Sequence, residues 1–157
     1  MRGRRAYCAA ALPLIACSSA DHGQMMPVAG SGVELAKTRG LPDDTARLRG
    51  GGVTADVTGA WKATGRSVEV AYRAQGPARV RFAGEGITGA WDRTEPEPGN
   101  VMGRPLLGGE LALAPGRPRT VLVEYAAGDA PGFGDEVVVP VPMPAGPAPV
   151  RFRLAGP

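Results

Sequence analysis

The residues that can do chemistry in this sequence are few, and their spacing limits what they can do. There is one histidine, His22, and there are two cysteines, Cys8 and Cys17. A nucleophile–base pair needs rigid backbone to hold its two side chains within hydrogen-bond reach. His22 lies instead in "SSADHGQMMPVAGSG", a small, polar stretch with no sustained period. No GxSxG, HExxH or phosphate-cradling glycine loop ahead of a helix occurs. Two carboxylates can work without histidine, and Glu85, Asp92, Glu95 and Glu97 are the candidates. All four stand in turn-like polar sequence, where a solvated charge is the ordinary state. Met25 and Met26 beside His22 are ligands of the kind that suit Cu(I). Asp129, Asp135 and Glu136 in "GDAPGFGDE" offer oxygen donors for Ca2+ without EF-hand spacing. Nothing local orders either set. The expectation is a protein that binds or assembles rather than catalyses, with no cofactor and no metal. An enzyme or a copper- or calcium-binding protein is the alternative.

A further group is basic. Arg79, Arg81, Arg151 and Arg153, together with Arg73, fall on the polar side of segments whose other side is apolar. If two of those segments are neighbours, the guanidinium forks converge on a face that matches phosphates and carboxylates. That would be a face for an anionic partner. The tetrapeptide "TGAW" occurs twice, at residues 58–61 and 88–91, and each Trp falls on the apolar side of its segment. A paired aromatic platform for a glycan or peptide is one reading. Packing in or beside the core is the stronger one, because Trp is so often well buried.

What positions these residues begins with the N-terminus. Arg2, Arg4 and Arg5 precede an uncharged run from Ala6 to Ala16, rich in Ala, Leu and Ile. The run is far shorter than the about 20 apolar residues that span a bilayer. Positive residues, a short apolar run and then small residues make a secretory signal peptide. Its end, Leu14-Ile15-Ala16-Cys17, resembles the lipobox of bacterial lipoproteins. The resemblance covers only about the first twenty residues and implies cleavage before Cys17, with lipid on its thiol and new amino group. It implies an address and no activity. Ser18 is not the Asp that retains many such proteins in the inner membrane. The expected location is therefore the outer membrane of the bacterial envelope, lipid-anchored and facing the periplasm.

Cleavage there also settles the cysteines and the charge. Cys8 is discarded and Cys17 is lipidated, so the mature chain has no disulfide and holds by packing. The full chain carries 18 Lys and Arg against 15 Asp and Glu. The excess of three equals the arginines of the leader, so the mature protein is neutral. The basic pI then gives no reason to expect a nucleic-acid partner. The partners expected are the membrane, through the anchor, and an envelope protein or an anionic cell-wall or lipid component.

Beyond the leader, residues 17–32 read as a flexible lipidated tether, rich in Gly, Ser and Pro. Residues 33–157 turn to two-residue alternation, the mark of half-buried strands. "VTADVTGAW" sets Val53, Ala55, Val57 and Trp61 on one face, and "SVEVAYR" sets Val68, Val70 and Tyr72. "ARVRF", "GITGAW", "ELAL", "TVLVEY", "EVVVPV" and "VRFRL" continue the pattern, with Gly and Pro clusters between them. Only residues 42–48, "PDDTARL", suggest one or two helical turns. About eight short strands with frequent turns predict an all-β fold, a single immunoglobulin-like antiparallel β-sandwich. Pro140, Pro142 and Pro144 cannot donate to a ladder, which places the "VVVPVPMP" strand at an edge.

Replacing Cys17 by Ala should abolish fatty-acid labelling and leave unprocessed precursor. Labelling that survives the substitution, or a mature N-terminus at Asp21, would remove the lipoprotein reading.

Overall fold

The computed structural model describes residues 22–30, 32–35, 44–95, 98–128 and 132–156. The leader, Cys8, Cys17, Glu97 and Asp129 lie outside the described residues. Among the described residues the chain forms strands and no helix. They are β1 (His22–Pro27), β2 (Val33–Leu35), β3 (Ala46–Gly50), β4 (Val53–Lys62), β5 (Gly65–Ala74) and β6 (Ala78–Arg81). The second half adds β7 (Ile87–Asp92), β8 (Arg104–Pro105), β9 (Glu110–Leu113), β10 (Arg119–Ala126), β11 (Glu136–Val141) and β12 (Ala148–Leu154).

Alternation explains most of them. In β4, Val53, Ala55, Val57 and Trp61 are buried and Gly59 packs on Met25, while Thr54, Asp56, Thr58 and Ala60 face outward. In β12, Val150, Phe152 and Leu154 point in and Arg151 and Arg153 point out. Every named strand pairing is antiparallel. One sheet runs β11-β12-β1-β4-β5-β10-β7-β8, with β3 on the first half of β4 and β2 on β3. A separate ribbon pairs β6 with β9. The all-β antiparallel sandwich expected from the sequence is the fold. The strand order supports the sandwich, whereas the finer immunoglobulin-like reading rests on general architecture alone.

Two expectations are corrected. His22–Pro27, placed in the tether, is a strand inserted between β12 and β4, with Met25 paired to both Leu154 and Gly59. Its side chain is fully buried. The segment "HGQMMP" has one strong apolar inward position and gives almost no alternation signal by itself; two ready neighbours supply its hydrogen bonds. The approach is close at Gly23, where an added Cβ would stand 1.9 Å from the Ala155 carbonyl oxygen. Likewise Ala46–Gly50, partly assigned to helical turns, is strand β3, because pairing with β4 outweighs a weak local preference.

Edge strand β11 determines how the sheet closes. Four strand spacings separate it from β5, roughly 19 Å in a flat sheet at about 4.8 Å each. Yet the Tyr72 hydroxyl of β5 donates to the Pro142 carbonyl at 2.7 Å, and the Tyr125 hydroxyl of β10 donates to the Pro140 carbonyl at 2.7 Å. A tyrosine side chain bridges that gap only if the sheet folds over and lays β11 across β5 and β10. The core fills the space between, and the β6–β9 ribbon adds Val80, Phe82, Leu111 and Leu113 to it. Phe82 meets Tyr72 edge-on, with ring centroids 6.4 Å apart. Burial pushes both tyrosine pKa values upward, so the hydroxyls stay donors.

Tyr72→Phe keeps the ring and removes the donor to a buried carbonyl. It should cost about 1–3 kcal/mol, read as a lower urea midpoint with unchanged slope. An unchanged midpoint would show that the hydroxyl does not hold the closure.

Candidate functional site

The charged groups separate into a buried cluster and an exposed outer face. Asp92 has a side chain with no solvent exposure. It lies at the end of β7, opposite Val121 of β10 and Arg104 of β8. The Arg119 guanidinium donates to its Oδ2, with Arg104 at 3.4 Å from the same oxygen. The Thr94 backbone N–H donates to Oδ1 at 3.0 Å, and Arg119 also bonds Glu95 at 3.0 Å. Burial opposes ionisation of Asp92, but the Arg119 hydrogen bond, the Thr94 N–H and the Arg119 charge outweigh it and hold its pKa below the usual value. The group is a fixed anion joining three strands. Its two oxygens are taken by Arg119, Arg104 and the Thr94 N–H.

The expectation for Asp92 as a solvated turn residue is therefore corrected, and with it the face of Trp91. The β7–β10 register shifts between Glu124 and Tyr125. Ile87 still opposes Tyr125, but past the shift Ala90 and Asp92 oppose Val123 and Val121 and turn inward. Trp91 now shares the outer face with Leu122, and its ring lies over Gly89. A bulge changes which face every later residue takes. Trp61 does pack in the core, with its indole N–H donating to the Ala155 carbonyl at 2.8 Å. The two tryptophans stand on opposite faces and form no joint platform.

The arginines are brought out but not together. Arg79 and Arg81 stand on β6, whose ladder partner is β9; Arg151 and Arg153 stand on β12, between β11 and β1. Arg73 is on β5, so no two arginine-bearing strands of this group are neighbours. Each pair shares a glutamate of the adjoining strand. Glu110 takes Arg79 at 3.4 Å and Arg81 at 3.8 Å, and Glu136 takes Arg153 at 3.0 Å and Arg151 at 3.8 Å. Arg73 pairs with Asp56 at 3.1 Å. The convergent stripe that adjacency would have made is absent from these strands.

The metal candidates separate in the same way. Met25 and Met26 are consecutive in β1, so they point to opposite faces, and Met25 packs against Gly59. Asp135 accepts the Gly132 N–H at 2.8 Å, and Glu136 is engaged by arginines. No group of three His, Cys, Asp or Glu able to hold an ion occurs among the described residues.

What sequence reasoning missed is a cleft of about 820 Å3 beside β11. One wall is the β6–β7 connection, with Ala83, Gly84 and Ile87; the other is Pro140 and the β11–β12 hairpin, with Met143 and Pro144. Arg81 and Glu85 are its charged lining residues. The proline cluster was the available signal, legible as an edge and not as a wall. Comparison with protein-family models, curated proteins and solved structures returned no match.

Asp92→Asn leaves the Arg119 charge, 14% exposed, with only the exposed Glu95 as counter-ion. The loss should be about 3–5 kcal/mol, whereas Glu136→Gln on the exposed face should cost at most about 1 kcal/mol. Because the folded pKa of Asp92 is depressed, its contribution is present above about pH 4 and is lost as pH falls through the folded value. Denaturant melts should accordingly show a weaker acid dependence between pH 5 and pH 2, both figures being approximate limits, in Asp92→Asn than in the parent. Equal slopes would reject that assignment.

Proposed function

We propose that this protein is a lipid-anchored module of the bacterial envelope that works by binding, and that it takes an apolar segment of an envelope protein into the cleft beside β11. The carrying observation is the character of that cleft. Its walls are mostly Pro, Ala, Gly, Ile and Met, with polar groups confined to few positions, the composition typical of a site that buries an apolar ligand. Proline rings have fixed backbone torsions, and walls already ordered before binding lose little freedom on it. Tyr125 and Tyr72 brace the same wall from behind, through the carbonyls of Pro140 and Pro142.

Arg81 supplies polarity at one side. Its side chain is 73% exposed and lies 3.8 Å from Glu110, so it can also meet a carboxylate beside the apolar segment. Glu85 is the only acidic residue lining the cleft among the described residues. A carboxylate mechanism needs two, which favours binding over catalysis. Leu14-Ile15-Ala16-Cys17 supports the lipid anchor and Ser18 the outer membrane, with the domain facing the periplasm. The four-arginine face for an anionic wall or lipid partner loses its basis, since its two halves stand on strands that are not neighbours.

The test places a photo-cross-linking residue at Ala145, which lines the cleft, and at Glu69 on the outer face of β5 as a control. In intact envelope the Ala145 position should give a discrete adduct that Glu69 does not. Ala83→Arg, which obstructs the opposite wall, should abolish it while the melting temperature holds. The same adduct pattern at both positions would remove the cleft from consideration.

A further inference from the structure

The position of β1 fixes which end of the sandwich meets the membrane, and a braced aromatic stands at that end. We propose that the anchor-side end rests directly on the bilayer that carries the lipid, with Phe133 seated at the lipid–water interface. The proposal rests on the lipid anchor proposed above.

Four residues, 18–21, separate Cys17 from the first residue of β1. Fully extended, the step from Cys17 to His22 reaches about 18 Å. β1 cannot lengthen that reach, because it is an interior strand. His22 pairs with Lys62, Met25 pairs with both Gly59 and Leu154, and Gly23 lies against Ala155. The antiparallel ladders then identify what else lies at this end. It holds the β4–β5 turn, where Lys62 pairs with Gly65, and the end of β10, where Ala126 pairs with Gly65. The start of β11 is there too, with Glu136 paired to Arg153 beside the end of β12.

Phe133 stands in the connection from β10 to β11, at that same end, and is 64% exposed. Its exposure is not a consequence of looseness. The Asp135 N–H donates to the Gly132 carbonyl at 3.2 Å, and the Gly132 N–H donates to the Asp135 carboxylate at 2.8 Å. Gly134 takes a positive φ of 89°, the left-handed conformation this turn requires. Two further bonds of 2.8 Å, Gly134 N–H to the Leu154 carbonyl and Leu154 N–H to the Asp135 carbonyl, tie the turn to β12. A large ring is thus held outward by a turn closed on itself and tied to β12. Phe, like Trp and Leu, is among the side chains that surface-bound segments bury at the boundary of headgroups and acyl chains.

Charge selects the kind of surface. Lys62, Arg66 and Arg153 meet Asp135 and Glu136 at this end, and Arg153 pairs with Glu136 at 3.0 Å. With a net excess of only one cation among these five, the contact rests mainly on apolar burial, works on neutral phospholipid and changes little with salt.

The experiment uses the full lipidated protein in neutral vesicles whose acyl chains carry bromine near the headgroups. In Phe133→Trp, the emission added to that of Trp61 and Trp91 should be blue-shifted and quenched, equally at low and high salt. A spacer of about 20 Gly and Ser residues inserted before His22, worth about 25 Å of added reach, should relieve the quenching. A nitroxide on Phe133→Cys, read by collision with lipid-dissolved oxygen, gives the same answer by a second substitution. Unquenched emission from protein whose mass shows an acylated Cys17 overturns the docking and leaves the anchor standing. Quenching that persists with the spacer overturns the tether as its cause. Cys17 without acyl mass removes both this proposal and the anchor beneath it.

Discussion

The closure of the sheet onto its own edge strand is the constraint from which the rest follows. β11 carries Pro140, and Pro142 follows it directly, so this edge lacks two of the donors that a neighbouring strand would use. Tyr72 and Tyr125 take the carbonyls of Pro142 and Pro140. That end of the edge is thereby blunted against further strands and tied over the core. The same two bonds hold the proline wall against which the cleft forms.

Charge is distributed so that little of it remains available for chemistry. On the outer faces, Glu110 and Glu136 each take two arginines. Exposed pairs of this kind add little stability, but they neutralise the face that carries them. The buried anion at Asp92 is different in kind, because it links β7, β8 and β10 where the apolar core ends. Removing water from that group makes its arginines obligatory. The cleft whose lining is mostly apolar lies beside the prolines.

The N-terminal strand connects this architecture to the proposed address. Because β1 is interior, the proposed anchor would join the middle of a sheet, close to the strand ends of β4, β10 and β12. A short link from an interior strand transmits orientation, whereas a long one would leave the domain free to tumble.

By itself the sequence determined whatever depends on the geometry of a single strand. Successive side chains point to opposite sides of an extended chain, so alternation named the buried faces of β4, β5, β10 and β12 residue by residue. Proline chemistry placed β11 at an edge for an equally local reason. Trp61 was read correctly as core. The tertiary structure decided everything that depends on which strands meet and in what register. His22–Pro27 became a strand because β4 and β12 offered it two ladders. Asp92 turned inward and Trp91 outward because the β7–β10 register shifts between Ile87 and Gly89, ahead of them, and no pattern within "GITGAWD" carries that information. The arginines failed to converge because their strands are not neighbours, and the cleft arose between segments more than fifty positions apart. Pairing is a long-range choice, settled by total burial and hydrogen bonding. Alternation says only which side chains share a face once that choice is made.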